Sequence, residues 1–132
     1  MNLVSIRLIT ADIQRLVSFY QHVTGVEAAW ATPDFAEIAT PAGTLAIGSA
    51  RTVALFGAGS ARPADNHTAI IEFLVPDVDA DYRRLQDTVE DFVNEPTTMP
   101  WGNRSLLFRD PDGNLFTLFT PVTAQAVAKF AG

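Results

Sequence analysis

Residues 101–121, WGNRSLLFRDPDGNLFTLFTP, restrict the fold more than any other stretch. Two apolar runs flank Asp110-Pro111-Asp112-Gly113. Asp at the first turn position, Pro at the second and Gly at the fourth suit a type I turn, with Gly113 free to take positive φ. Leu106-Leu107-Phe108 and Leu115-Phe116-Thr117-Leu118-Phe119 are then antiparallel strands. Pro121 ends the second, because it has no N–H to give to a ladder.

The chain before it alternates strand and helix signals. Asn2–Thr10 is β-rich, with Val4, Ile6 and Leu8 on one face and Leu3, Ser5, Arg7 and Ile9 on the other. Asp12 reads as a helix N-cap, and Ile13, Leu16, Val17, Tyr20 and Val23 follow helical spacing up to a stop at Gly25. Val26–Trp30 reads as a short strand, and Phe35–Thr40 with Thr44–Gly48 as a hairpin around Pro41-Ala42-Gly43. Val53–Phe56 is a short helix or strand, and GAGSARPADN after it is a connection. Gly57-Ala58-Gly59 lacks the third glycine and the Lys-Ser/Thr pair of a phosphate loop. His67–Val75 is the next long strand. Asp77 or Asp79 caps a second helix, with Val78, Tyr82, Leu85 and Val89 on its buried face. Phe92–Glu95 reads as a brief strand, Pro96–Pro100 as a loop, and Thr123–Phe130 as a short terminal helix.

These elements repeat. Asp12 corresponds to Asp77 at an offset of 65, and Pro41-Ala42-Gly43 to Pro111-Asp112-Gly113 at an offset of 70. The expected fold is α+β: two βαβββ modules with pseudo-twofold symmetry, whose curved mixed sheets form a cleft. Module one spans about 1–50, a connection about 51–66, module two about 67–121, and a tail 122–132, all within a single domain. The faces away from the helices carry Ser5, Arg7 and Ile9; Ile70, Glu72 and Leu74; and Leu115, Thr117 and Phe119.

The pattern resembles the vicinal oxygen chelate superfamily, which includes glyoxalase I, extradiol dioxygenases, fosfomycin-resistance enzymes and bleomycin-resistance proteins. Ala11-Asp12, Phe19-Tyr20 and Gly25 carry the resemblance in the first half. Phe73-Leu74-Val75-Pro76-Asp77-Val78-Asp79, Trp101-Gly102 and Asp110-Pro111-Asp112-Gly113-Asn114 carry it in the second. It implies a homodimer and, in metal-dependent members, a divalent ion held by His, Glu or Gln from four strands. The first three positions fall on Ser5, Ile70 and Thr117, and the repeat offset of 70 puts the fourth on Ile47. Two hydroxyls and two aliphatic side chains do not make a transition-metal site. The expectation is a member without the metal site and without a cofactor.

Other residues offer binding more readily than catalysis. Arg7 and Glu72 occupy equivalent positions and would either pair or fix a polar ligand; Glu72 is also a weak candidate for a general base. Trp101, beside Gly102, can stack on a planar molecule or simply anchor the fold, and Trp30 has the same alternatives. Phe35, Phe56 and Phe119 are wall or core residues, and Arg104 and Arg109 are by default solvated charges. The facing of Glu37 is open. His22, near a helix end, and His67, three residues before Ile70, are the only histidines and assemble no catalytic set.

Composition narrows the function. A net charge of −6 with one lysine excludes a cationic nucleic-acid surface and mildly favours a cationic ligand. Hydrophobic content of 48% with no bilayer-length run describes a globular domain off the membrane. No signal peptide is read at the start, and the absence of cysteine suits the cytoplasm. Ser5, Arg7, Glu72, Trp101, Thr117 and Phe119 are the expected ligand contacts. The leading expectation is metal-independent binding of an aromatic, apolar or cationic small molecule, as in antibiotic sequestration. A glyoxalase- or dioxygenase-like enzyme with displaced metal ligands or a metal-free mechanism using Glu72 as base, and an accessory domain, are the alternatives.

Overall fold

The Asp-capped helix and the hairpin recur twice in the computed structural model, which describes residues 1–131. They fall in two units, Met1–Asn66 and the residues from His67 onward. The first contains β1 (Ser5–Thr10), α1 (Ile13–Thr24), β2 (Ala29–Thr32), β3 (Phe35–Ala39) and β4 (Thr44–Ser49). Its sheet order is β1-β4-β3-β2, with β1 and β4 parallel and the other pairs antiparallel. The parallel pair exists because α1 and the β2–β3 hairpin intervene between its strands.

The expected punctuation holds α1. The Asp12 carboxylate accepts the Arg15 N–H, and Gly25, at φ 70°, donates its N–H to the Gln21 carbonyl. Ile13, Leu16, Val17, Tyr20 and Val23 are buried on one stripe, each such side chain contributing about 1.5–3 kcal/mol of burial. The helix packs on β3 and β4. Leu8, Ile47, Ala36 and Trp30 form one cross-strand row on that side of the sheet.

Strand β1 starts three residues later than the sequence suggests. Its partner β4 begins at Thr44, opposite Ser5, and the Thr44 N–H bonds the Val4 carbonyl, so Asn2 and Leu3 lie beyond the end of β4. Strand β2 is also shifted, because Gln21 Oε1 accepts the Ala28 N–H at 2.8 Å and holds the chain at the helix end. The expected connection at 51–66 begins as a 3₁₀ helix, Ala50–Leu55, which packs on β4 and β1 and buries Thr52 and Val53. The first unit therefore extends through Asn66.

The second unit contains β5 (Ile70–Leu74), α2 (Val78–Arg84), β6 (Asp91–Phe92), β7 (Thr97–Thr98), β8 (Asn103–Arg109), β9 (Leu115–Pro121) and α3 (Ala124–Phe130). Its sheet order is β5-β9-β8-β6, and β7 also pairs with β8. Asp77 is the α2 cap, accepting the Ala80 N–H. Phe73, Phe116, Phe108, Phe92 and Tyr82 form a chain of ring contacts in the core of this unit. Strand β6 is shorter than Phe92–Glu95. Beyond Val93 the Asn94 side chain takes over, its Oδ1 accepting the Leu107 N–H at 2.7 Å. The expected Pro96–Pro100 loop contains β7, and β5 begins at Ile70, opposite the first residue of β9.

The DPDGN turn closes on its own side chains. Asp110 is 5% exposed; its Oδ1 accepts the N–H groups of Asp112 and Asn114, and its Oδ2 accepts the Asn114 amide. Gly113 takes φ 83° and donates its N–H to the Asp110 carbonyl. The neighbouring Gly102, at φ 97°, does different work. Its carbonyl accepts from both Val122 and Thr123, seating the start of α3. A Cβ on Gly102 would collide with Thr123 Oγ1.

Candidate ligand-binding faces

Each sheet has a face turned away from its helix, and strand register fixes which residues share it. In the first unit the open-face rows are Ser5–Thr44–Ala39, Arg7–Ala46–Glu37–Ala29 and Ile9–Gly48–Phe35. Glu37, whose facing the sequence leaves open, thus lies on the same face as Arg7. Trp30 pairs with Ala36 and belongs to the helix side, although 39% exposed.

Arg7 shows how the face is built. Its guanidinium carbon sits 4.9 Å from the centroid of the Phe35 ring, a cation–π contact of about 0.5–1 kcal/mol at an exposed site. Phe35 lies two strands away on β3, and the side chain reaches it by crossing β4. Gly48 lies beside that path and against the 3₁₀ helix: a Cβ there would come within 3.0 Å of Thr52 Oγ1, and would meet Ile9 Cδ1 and Arg7 Cδ at ordinary contact distances of 3.5 and 3.8 Å.

In the second unit the open-face rows are Ile70–Leu115–Arg109–Asp91, Glu72–Thr117–Leu107 and Leu74–Phe119–Ser105–Thr97. Ile70, Glu72 and Leu74 are exposed on β5, with Ile70 and Leu74 near half. Thr117 and Phe119 are buried. Phe119 is met by Phe130 of α3, ring centroids 5.2 Å apart. The terminal helix therefore lies against part of this face, which the sequence does not reveal. Trp101 sits in the turn before β8 with 69% of its surface exposed, off the strand rows.

The fourth expected metal position needs correction. Ile47 is fully buried on the helix side, in the row with Leu8 and Ala36. Thr117 lies opposite Glu72; the equivalent pairing in the first unit sets Ala46 opposite Arg7. The open-face set becomes Ser5, Ala46, Ile70 and Thr117. Two hydroxyls, a methyl and a branched alkyl do not fit a divalent transition metal. Among the described residues no group of three or more His, Cys, Asp or Glu is placed to hold an ion. His22 lies in the last turn of α1, and His67 precedes β5.

The Asp79–Arg104 and Asp34–Arg51 ion pairs lie off these rows, whereas Arg109–Asp91 lies in one of them. Arg104 faces the α2 side and grips Asp79 with two hydrogen bonds, 2.8 and 3.0 Å, tying β8 to the first turn of the helix. This grip lowers the Asp79 carboxyl below its ordinary 3.8 and raises the guanidinium. Asp34 is lowered by hydrogen bonds from Arg51 and then Ser49. It pins the β2–β3 turn to the end of β4. Arg109 reaches the Gly113 carbonyl at 3.2 Å and Asp91 at 3.9 Å.

Two α+β units, each a strand, an Asp-capped helix and a further run of strands closed by a hairpin, make up the described structure. The chain matches the family model of the Glyoxalase/Bleomycin resistance protein/Dioxygenase superfamily over residues 2–118, and it belongs to that superfamily. A glyoxalase/bleomycin resistance protein/dioxygenase from Nocardioides is 23% identical, with TM-score 0.75 over 94% of this chain and 85% of the other. A family enzyme from Burkholderia phytofirmans is 18% identical, with TM-score 0.81 over 92% of this chain and all of that one. A glyoxalase-related enzyme from Fulvimarina pelagi is 17% identical, with TM-score 0.75 over 94% of each chain. At these identities the likeness is one of fold. No curated protein matches the chain.

Proposed function

We propose that this superfamily member binds a small, largely aromatic or apolar molecule on its open sheet faces without a transition metal, as a sequestering protein would. The observation that carries the reading is the donor set: where metal-dependent relatives need imidazole or carboxylate, this chain offers Ser5, Ala46, Ile70 and Thr117. Sequestration needs no catalytic group. It needs apolar surface and a few orienting polar atoms. Ile70 and Leu74 supply exposed apolar surface, and Arg7 and Glu72, both exposed, supply the polar atoms, with the buried Thr117 beside Glu72 in its row. Trp101, exposed in its turn, adds a ring able to stack on a planar ligand. A homodimeric assembly and a cytoplasmic location belong to the same proposal, as does the absence of a nucleic-acid partner, which follows from the net charge of −6.

Metal analysis of protein purified without chelator tests the first half of the reading; a stoichiometric transition metal would sink it. A thermal-shift panel of planar aromatics, quinones and cationic glycopeptides tests the second half. A binder raises the unfolding temperature by mass action, and silence across the panel would favour an accessory domain. A second reading, a metal-free enzyme using Glu72 as base, is favoured by the placement of Glu72 on the open face opposite Thr117. Turnover abolished by Glu72→Gln with ligand affinity retained would select it.

A further inference from the structure

Net charge points to a cationic ligand, yet the first unit's open face presents a cation of its own. Arg51 and Arg62 in that unit are each paired with an aspartate, Asp34 and Asp65. Arg7 instead lies over the Phe35 ring, with no carboxylate or carbonyl of its unit accepting from it. A cation–π contact uses none of the five N–H donors of the guanidinium as hydrogen-bond donors, so they stay available. Beside Arg7 in its row is the buried methyl of Ala46, which adds no polar atom, and the partly exposed Ile9 provides an apolar flank.

We propose that Arg7, braced by Phe35, is an oxyanion receptor, and that the ligand of this face is an aromatic or apolar molecule carrying a carboxylate. The inference rests on the small-molecule-binding reading above and names the ligand class within it. A planar carboxylate matches the guanidinium fork, and such charge-assisted pairs are about twice as strong as neutral hydrogen bonds. The protein's net charge acts at long range and is screened within about 10 Å at ordinary salt. At contact distance the local cation decides.

The test is calorimetric titration with three matched probes: 2-naphthoate, 2-naphthamide and 2-naphthylmethylammonium. The wild type is expected to bind the naphthoate about tenfold more tightly than the amide, and the ammonium most weakly. Arg7→Met keeps the stem against Phe35 and should remove the naphthoate's advantage, leaving acid and amide bound equally. Arg7→Lys should restore only part of the preference, since it keeps charge but not the fork. Arg7 is exposed, and unchanged circular dichroism certifies that both variants fold. Equal binding of acid and amide by the wild type overturns the proposal while leaving small-molecule binding in place. A preference that survives in Arg7→Met overturns it too. Failure of all three probes to bind removes this ligand class, and the broader panel then judges the binding reading separately.

Discussion

At the scale of single residues, two glycines with positive φ make contrasting predictions. A Cβ on Gly113 meets nothing within 4 Å, so Gly113→Ala should cost only the left-handed backbone penalty, about 1–2 kcal/mol. Gly102→Ala carries the same penalty and a collision with Thr123 and Ala126, for a total of about 2–4 kcal/mol. Urea denaturation of the two variants separates them, and equal losses would mean that α3 yields freely. The Asp79–Arg104 pair predicts a pH dependence with a definite sign. The folded carboxyl lies below its ordinary 3.8, so its contribution is complete above the unfolded value and is lost as pH falls through the folded one. Asp34 acts in the same direction. Asp79→Asn should flatten the acid limb of stability between about pH 5 and pH 2. An acid limb as steep as the wild type's would exclude the pair as its cause.

At the scale of elements, the DPDGN turn is held by one carboxylate with three donors. Asp110→Ala strands those donors and should destabilise the second unit by about 2–4 kcal/mol. A loss below 1 kcal/mol by thermal or urea unfolding would show that water replaces the carboxylate. Caps and hairpins of this kind were legible in the sequence, because Asp12, Gly25, Asp77, Gly113 and Pro121 act through neighbours in the chain. The facing of Arg7, Glu72 and Thr117 was legible for a similar reason, as alternation along a strand is local. The fourth metal position was not. The turn between β3 and β4 spans four residues, Thr40–Gly43, whereas that between β8 and β9 spans five, Asp110–Asn114. The extra Asn114 slips the count by one, and one residue flips a strand position to the other face. Contacts made across the sheet also escaped: Arg7 over Phe35, Asn94 finishing the β6 edge, and Phe130 against Phe119. Each depends on a partner that no local pattern specifies.

At the scale of the whole chain, every strand pairing lies inside one unit or the other, Met1–Asn66 or the residues from His67 onward. Within its sheet β5 has a hydrogen-bonded neighbour on one side, β9. Its sequence, Ile70-Ile71-Glu72-Phe73-Leu74 followed by Val75, carries a single charge among strong β-formers. Such a window favours intermolecular cross-β stacking whenever it is unprotected, as during refolding. Glu72 therefore has a second duty independent of any ligand: its negative charge repels an identical strand from another molecule and guards against aggregation. Glu72→Val should fold to the same circular dichroism spectrum yet scatter light on refolding at concentrations where the wild type stays clear. A clear Glu72→Val solution would remove that role. The carboxylate on the open face thus protects the solubility of the chain that carries it, so a change made there to alter binding also changes how safely the protein refolds.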